Sequence, residues 1–485
     1  MDESLLHEVL RELSRDPRVR YAEVRFTDER VEQLRVKRAK GESSDTVTSS
    51  RSRGVGIRVL GDKTWGFAST PRLDGASLRA AAQRAASIAA AASTIAKARV
   101  PFPERPAQRG RYVTPGATDP FAIPANERLA VLDRAVSAVL GDPIVSADAH
   151  ADASRMDKRL LTTEGTDVSQ SILMGACNLH AIAVDASGQP ESRSYPTWGG
   201  CDAFQGGWER VVALDLAGQA ERIRAELTEL LGAPLCPEGP RDVILESSQV
   251  ALQIHESCGH PTELDRAFGT EITLAGGSFL DPRMLGSFRY GSDLVTITAD
   301  AIAQGGAGTF GWDDEGTPAG KVALVDRGLF TDYLSSRETA GLLGRDSTGT
   351  MRASGWDRVP LIRMTNVSLA PGQGSLEDLI ADTKRGILIA TDRSWSIDDQ
   401  RLDFQFSCEV GWEIENGKRT RMVKRPLYAG STPRFWGSCD AVCGPDDFTL
   451  WGISSCGKGD PIQLMYVGHG ASPARFRDVN VGRAA

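Results

Sequence analysis

Two histidines, His255 and His260, stand five residues apart at the end of a helix-forming run, and this spacing constrains the local fold more tightly than any other feature of the chain. The run begins with the apolar segment Val243-Ile244-Leu245, and Ser247 or Ser248 can then cap a helix. Val250, Ala251, Ile254 and Cys258 recur at helical spacing and define one face. Histidines four residues apart share a helix face and hold one zinc ion. Five apart, they diverge by about 140° on a regular α-helix, too far for a single ion. Two distortions bring them together. A local π-type widening aligns residues i and i+5. Alternatively, Pro261 disfavours α geometry at His260 and removes its own N–H, unwinding the last turn. The competing reading is two unrelated histidines. Against it, the chain has 6 histidines in 485 residues, and two of them share this window with Glu256 adjoining the first.

A zinc peptidase needs three protein ligands and one open position for water. Glu256 points away from its neighbour His255 on a helix, so it is better placed as the general base than as a ligand. The third ligand must come from elsewhere. Cys408, Cys439, Cys443 and Cys456 cluster late in the chain, but their spacings lack the paired knuckles of a structural zinc site. Cys456 has the most suitable context. It lies between Gly452-Ile453-Ser454-Ser455 and Gly457-Lys458-Gly459, a glycine-flanked loop in which Lys458 can favour the thiolate.

Length and composition set the frame. A chain of 485 residues exceeds what one core usually serves, and its punctuation suggests an N-terminal α/β domain at 1–100, a central domain at 101–236 and a C-terminal catalytic metalloprotease domain at 237–485. The fold class expected is α+β: an N-terminal helix and strand region, then a strand-rich catalytic region carrying the metal-binding helix. Helices are expected at 2–15, 74–98, 125–140 and 208–232, strands at 19–70 and 143–198, a proline-rich linker at 100–124, and hairpin turns at Asp326-Arg327-Gly328 and Asn416-Gly417. The net charge is −8 with no basic block, which argues against a nucleic-acid partner. No apolar run reaches the ~20 residues of a transmembrane helix, and the acidic amphipathic N-terminus lacks the features of a signal peptide. The expected location is the cytoplasm, with no membrane association and with its eight scattered cysteines reduced.

The chain resembles the TldD/PmbA metalloproteases, specifically the active TldD-type subunit. The resemblance is carried by RVLGDKTWGFAST at 58–70, HESCGH at 255–260, WDDEGTP at 312–318, RMTN at 363–366, EIENGK at 413–418 and SCGKGD at 455–460, in that order. It implies that His255, His260 and Cys456 bind Zn²⁺ and that Glu256 activates water. It also implies an active site at the end of an enclosed tunnel, a peptide substrate, and a homodimer or a heterodimer with an inactive TldE/PmbA-like subunit. Trimming of a modified precursor peptide is the role it suggests, with general peptide turnover as the competing role. The sequence departs from the family pattern at Pro261-Thr262-Glu263-Leu264-Asp265, which bears on the local helix geometry. A zinc hydrolase acting on a non-peptide amide, or a non-catalytic peptide-binding subunit, are the alternatives.

Other polar positions have structural readings. Asp313, Asp314 and Glu315 can hold a divalent ion, but a turn before Gly316 and Pro318, solvated or bonded to backbone, is favoured. Arg363 and Asn366 suit either peptide recognition or a pairing across a sheet. His469 is read as structural, His7, His150 and His180 as incidental, and Cys258 as a small core residue.

Overall fold

The computed structural model describes residues 2–273 and 276–484; Met1 and Ala485, the ends of the first and last expected domains, lie outside the described residues, as do Leu274 and Ala275. The fold is α+β. Its first half is an eight-stranded sheet ordered β3-β2-β1-β5-β6-β4, with β7 and β8 also pairing with β6. The strands are β1 (Tyr21–Ala39), β2 (Glu42–Leu60), β3 (Trp65–Thr70), β4 (Arg109–Val113), β5 (Ile144–Thr162), β6 (Asp167–Val184), β7 (Pro190–Tyr195) and β8 (Ala203–Gln205). β1 and β2 form an unbroken hairpin from Tyr21↔Leu60 to Ala39↔Glu42, and β1 pairs along its other edge with β5. Strands on both sides of residue 100 therefore share one sheet. The stretch 100–124 is not only a linker: Arg109–Val113 adds to the sheet parallel to β6, because the chain must cross beside that strand to reach the next helix.

Helices cover this sheet. Helix α1 (Ser4–Arg15) buries Leu6, Val9 and Leu13, and α2 (Gly75–Ser93) packs beside it through an alanine-rich face. Helix α3 (Ala125–Val139), the short α4 (Trp208–Ala213) and α5 (Ala220–Gly232) contribute to a second core on β5 and β6. That core also takes in Val410 and Met422 from the second half of the chain.

The second half is built on a ring of strands. β9 (Gly239–Leu245) opens it. Six short strands follow: β10 (Ile297–Asp300), β11 (Lys321–Asp326) and β12 (Leu329–Phe330) form a sheet with β15 (Val367–Leu369), while β13 (Met351–Arg352) pairs with β14 (Leu361–Ile362). Then come β16 (Arg385–Ile397), β17 (Asp403–Glu415), β18 (Lys418–Lys424), β19 (Pro426–Ser431), β20 (Cys439–Val442), β21 (Thr449–Lys458), β22 (Gln463–Ala471) and β23 (Ala474–Arg483). The pairings β16–β9, β9–β23, β23–β19, β19–β17 and β17–β16 close on themselves, which makes a small barrel from which the far end of β16 extends paired with β17 alone. Its aromatic filling includes Phe404, Phe406, Tyr428, Phe435 and Trp436. The turns at Arg327-Gly328 and Asn416-Gly417 have positive φ at both residues, as tight hairpins require. No helix of the described residues is long and apolar enough to cross a membrane.

The two halves are locked by buried charge. Asp313, Asp314 and Glu315 are not solvated, as a plain turn predicts; each is at most 3% exposed. The first-half sheet supplies cations that compensate them. Arg58 pairs with Glu315 at 2.8 Å and Glu23 at 3.1 Å, while Asp314 meets Lys158 and, at 3.8 Å, Arg25. Asp313 instead caps the backbone N–H groups of Glu315 and Thr317. Burial raises the Asp314 carboxyl, but Lys158 and Arg25 outweigh it and hold the group below its ordinary value. Removing one partner of such a network strands the others without compensation. Asp314→Asn is therefore expected to lower unfolding free energy at pH 7 by about 3–5 kcal/mol in chemical denaturation.

Candidate metal centre

β9 runs directly into the short helix α6 (Ser247–Ile254). Glu246, not Ser247 or Ser248, is the cap: its carboxylate accepts from Ser248 N at 2.9 Å and from both serine hydroxyls. The helix is buried on every side, not only along Val250, Ala251 and Ile254. Its two glutamines share one partner outside the helix. Gln249 donates to Tyr428 Oη, which donates to Gln253 Oε1.

A π-turn over His255–Gly259 continues the helix, closed by His260 N–H donating to His255 O at 3.2 Å. Of the two distortions open to the sequence, the chain takes the widening. Neighbours satisfy the displaced carbonyls: Tyr290 Oη donates to Ser257 O, and Thr262 Oγ1 donates to Cys258 O and Gly259 O. Gly259 packs closely there: a Cβ would stand 2.2 Å from Met364 Sδ and would force that side chain to move. The result brings the rings of His255 and His260 to 4.7 Å between centroids.

Cys456 reaches the same point from β21. The β21–β22 register shifts between Ile453 and Cys456, a bulge that re-aims the side chain. Its Sγ lies 3.9 Å from His260 Nε2, and donor atoms of His255, His260 and Cys456 all lie within 4.8 Å of one another. Among the described residues, no other group of three histidine, cysteine or acidic side chains gathers this way. Cys408, Cys439 and Cys443 are buried elsewhere as free thiols.

Hydrogen bonds orient both imidazoles. His469 Nδ1 lies 3.0 Å from the carbonyl of Val367, which can only accept, so that nitrogen carries the proton. His469 Nε2 then accepts from His255 Nδ1–H at 2.8 Å, leaving His255 Nε2 as a bare lone pair. His260 Nδ1 faces Glu263 at 3.2 Å, which leaves its Nε2 toward Cys456. Burial, reinforced by nearby positive charge, holds His255 and His260 well below the ordinary histidine pKa, so both are neutral donors. Burial raises Glu263 too, but Lys458, His260 and Arg266 overcome it and keep the carboxylate ionised.

Burial pushes the Cys456 thiol up, and Arg363 opposes that most. Lys458, expected beside the thiolate, instead pairs with Asp265 at 2.8 Å and Glu263 at 3.4 Å, because its side chain leaves the strand toward those buried carboxylates. Arg363 is a cross-strand anchor: it donates to Gln463 O and Cys456 O, fixing the bulge. Asn366 ties the backbone of Gly308 and Asp300.

Glu256 faces the three donors across a cavity of about 450 Å³. Burial raises its pKa, while Arg401, 2.6 Å away, and a hydrogen bond from Trp395 lower it. The donor set (two neutral imidazoles and a thiol) matches the nitrogen and sulfur preference of zinc. The acidic triplet at 313–315 and Asn366 take no part in this cavity. His7, His150 and His180 each sit near a carboxylate, at 3.6, 3.0 and 3.3 Å, so they have partners that are distant in sequence. The sequence reading missed His469 as a support of His255, and missed Glu263 and Arg401. Glu263 was legible as a carboxylate three residues after His260; His469 and Arg401 carried no local signal.

The chain is similar to known proteins over most of its length. A family model described as the PmbA/TldA metallopeptidase C-terminal domain matches residues 238–483, and one for domain 1 of the same metallopeptidases matches residues 22–89. A metalloprotease of Methanothermobacter thermautotrophicus is 29% identical over 475 residues, 96% of each chain. A zinc metalloprotease TldD homolog of Saccharolobus solfataricus is 26% identical over 247 residues, 50% of this chain and 52% of its own. The crystal structure of TldE from Thermococcus kodakarensis shares the fold with a TM-score of 0.73 at 17% identity, covering 99% of this chain and 100% of that one.

One buried acid near the centre has no evident support. Asp392 on β16 is 3% exposed, and neither carboxylate oxygen meets a side-chain donor. Burial, then Glu409 and Glu256, push it up to about 8. Because the folded value exceeds the unfolded one, the neutral acid's contribution is full below pH 4 and is lost as pH rises toward 8. Asp392→Asn is expected to raise thermal stability at pH 8 by about 1–3 kcal/mol and to change it little at pH 4, as read by melting curves across pH.

Proposed function

Because this chain belongs to the PmbA/TldD metallopeptidase family, we propose that it is a zinc-dependent peptidase acting on short or unfolded peptides, with His255, His260 and Cys456 as metal ligands and Glu256 as general base. The observation that carries this reading is the convergence of three donors from residues some two hundred positions apart within 4.8 Å, beside a buried carboxylate. A bound zinc ion supplies Lewis acidity, polarising a carbonyl oxygen and acidifying water toward neutral pH. Glu256 takes the proton from that water and delivers it to the departing amine. Arg401 opposes the upward pull of burial on the carboxyl and fixes its direction. His469 and Glu263 hold the two imidazoles in the tautomers that leave Nε2 free, the role usual for groups behind metal ligands.

An extended substrate fits the sheet edge at the cavity. Residues 386–389 of β16 are paired on both sides, by β9 and β17, whereas residues 394–397 pair with β17 alone. Ser396 and Ile397 line the cavity from that open edge, where a peptide can add as a strand. Processing of a modified precursor peptide is the role we assign, in the cytoplasm, where the eight free cysteines stay reduced. The partner is a second copy or an inactive subunit of the TldE type, the latter favoured by the shared fold.

The purified protein is expected to hold near one zinc per chain, and Cys456→Ala to lose it. Glu256→Gln should keep the metal while turnover of a peptide library falls about 10²–10⁴-fold. His469→Ala should weaken zinc affinity about 10–100-fold. Equal products from wild type and Glu256→Gln would rule out the base. Native mass with and without a TldE-type chain is expected to give a heterodimer; a homodimer unchanged by that chain would exclude the pairing.

A further inference from the structure

The cavity has walls that the proton chemistry does not use. Trp198, Leu252, Trp395, Ile453, Ile462 and Leu464 line it together with the three donors. They come from four separate elements: the segment after β7, helix α6, the end of β16, and the β21–β22 hairpin. Trp198 and Trp395 meet edge to face, with ring centroids 5.3 Å apart. At the mouth, Trp395 is 39% exposed, Ile462 50% and Leu464 54%. Large apolar side chains left open to water around a deep cavity mark a binding surface.

The backbone is strained where it delivers this wall. Thr391 has φ +61, an expensive conformation for a β-branched residue, and the β16–β17 register shifts just beyond it, between Asp392 and Ser394. This irregularity separates the half of β16 that builds the barrel from the half that displays Trp395. The charged groups lining the cavity are Glu256 and Arg401, and they pair with each other. A charged substrate side chain entering here would lose water and find no countercharge assigned to it.

We infer that this cavity selects peptides by a large apolar or aromatic side chain next to the scissile bond, read by Trp198, Trp395 and Leu464. The inference rests on the peptidase reading above, since it is the position of the donors that puts the wall beside the reacting bond. Gly, Ala and charged residues at that position are disfavoured, the first two for want of contact and the last for want of a partner.

Binding tests this without turnover. The wild-type protein, with zinc removed by a chelator so that nothing is cleaved and the Glu256–Arg401 pair stays intact, is titrated with fluorescein-labelled extended peptides that differ at one position (Phe, Leu, Gly, Asp or Lys), and anisotropy is read. Phe and Leu peptides are expected to bind about tenfold or more tightly than Asp and Lys peptides. Leu464→Lys, at an exposed position that does not threaten folding, should weaken the Phe peptide and strengthen the Asp peptide. Equal binding of all five, or the same ranking in Leu464→Lys, overturns the inference. So does the absence of saturable binding by any peptide, as when a partner subunit covers the wall. Cleavage by the zinc-loaded wild type reports separately on the parent reading. Selective binding without cleavage sinks the peptidase and keeps the wall, and cleavage without selectivity does the reverse.

Discussion

The hydrogen bond from His260 N–H to His255 O is the constraint on which the site depends. A regular helix would send these two rings to different sides; one bond made to the fifth preceding residue sets them face to edge. Such a turn is rarely stable alone, because it displaces neighbouring carbonyls from their usual partners. Here side chains meet three of its carbonyls: Ser257 O by Tyr290, Cys258 O and Gly259 O by Thr262. Pro261 follows as a residue with no N–H to satisfy. The surrounding fold, rather than helix propensity, holds the turn.

That surrounding is the closed barrel and the hairpin laid against it. A helix buried on all sides must carry polar residues that find partners, and Gln249 and Gln253 do so through Tyr428, a barrel residue. The same logic extends outward. Trp436 donates to Ser257 Oγ, and Arg363 pins the carbonyl of Cys456, so barrel and bulge are each tied to the donor cluster. Movement of either would displace a donor, which is how a site drawn from remote segments keeps its geometry.

Electrostatics divides the molecule into two regimes. Away from the centre, the buried carboxylates of Asp314 and Glu315 meet cations from the first-half sheet and lock the halves together. Around the cavity, burial acts in the opposite sense. It keeps the imidazoles neutral, raises the Glu256 carboxyl against the opposing pull of Arg401, and leaves Asp392 without a side-chain donor.

Much of this was legible in the residues. The apolar strand, the capped helix and the five-residue histidine spacing required a widened or unwound turn, and hairpin chemistry at Arg327-Gly328 and Asn416-Gly417 fixed two reversals, because these features depend only on near neighbours. Glu256 and the two histidines were visible for the same reason. Cys456 was singled out through the resemblance to a family more than through its own loop. What no local pattern held was the company these residues keep: His469 behind His255, Arg401 against Glu256, Lys458 turned to Asp265 instead of Cys456, and the acidic turn buried under Arg58 and Lys158. Sequence determined the two histidines and the need for a distorted turn between them, since residue spacing along a helix is a short-range property. Tertiary structure decided which charges meet, since burial and pairing join segments hundreds of residues apart.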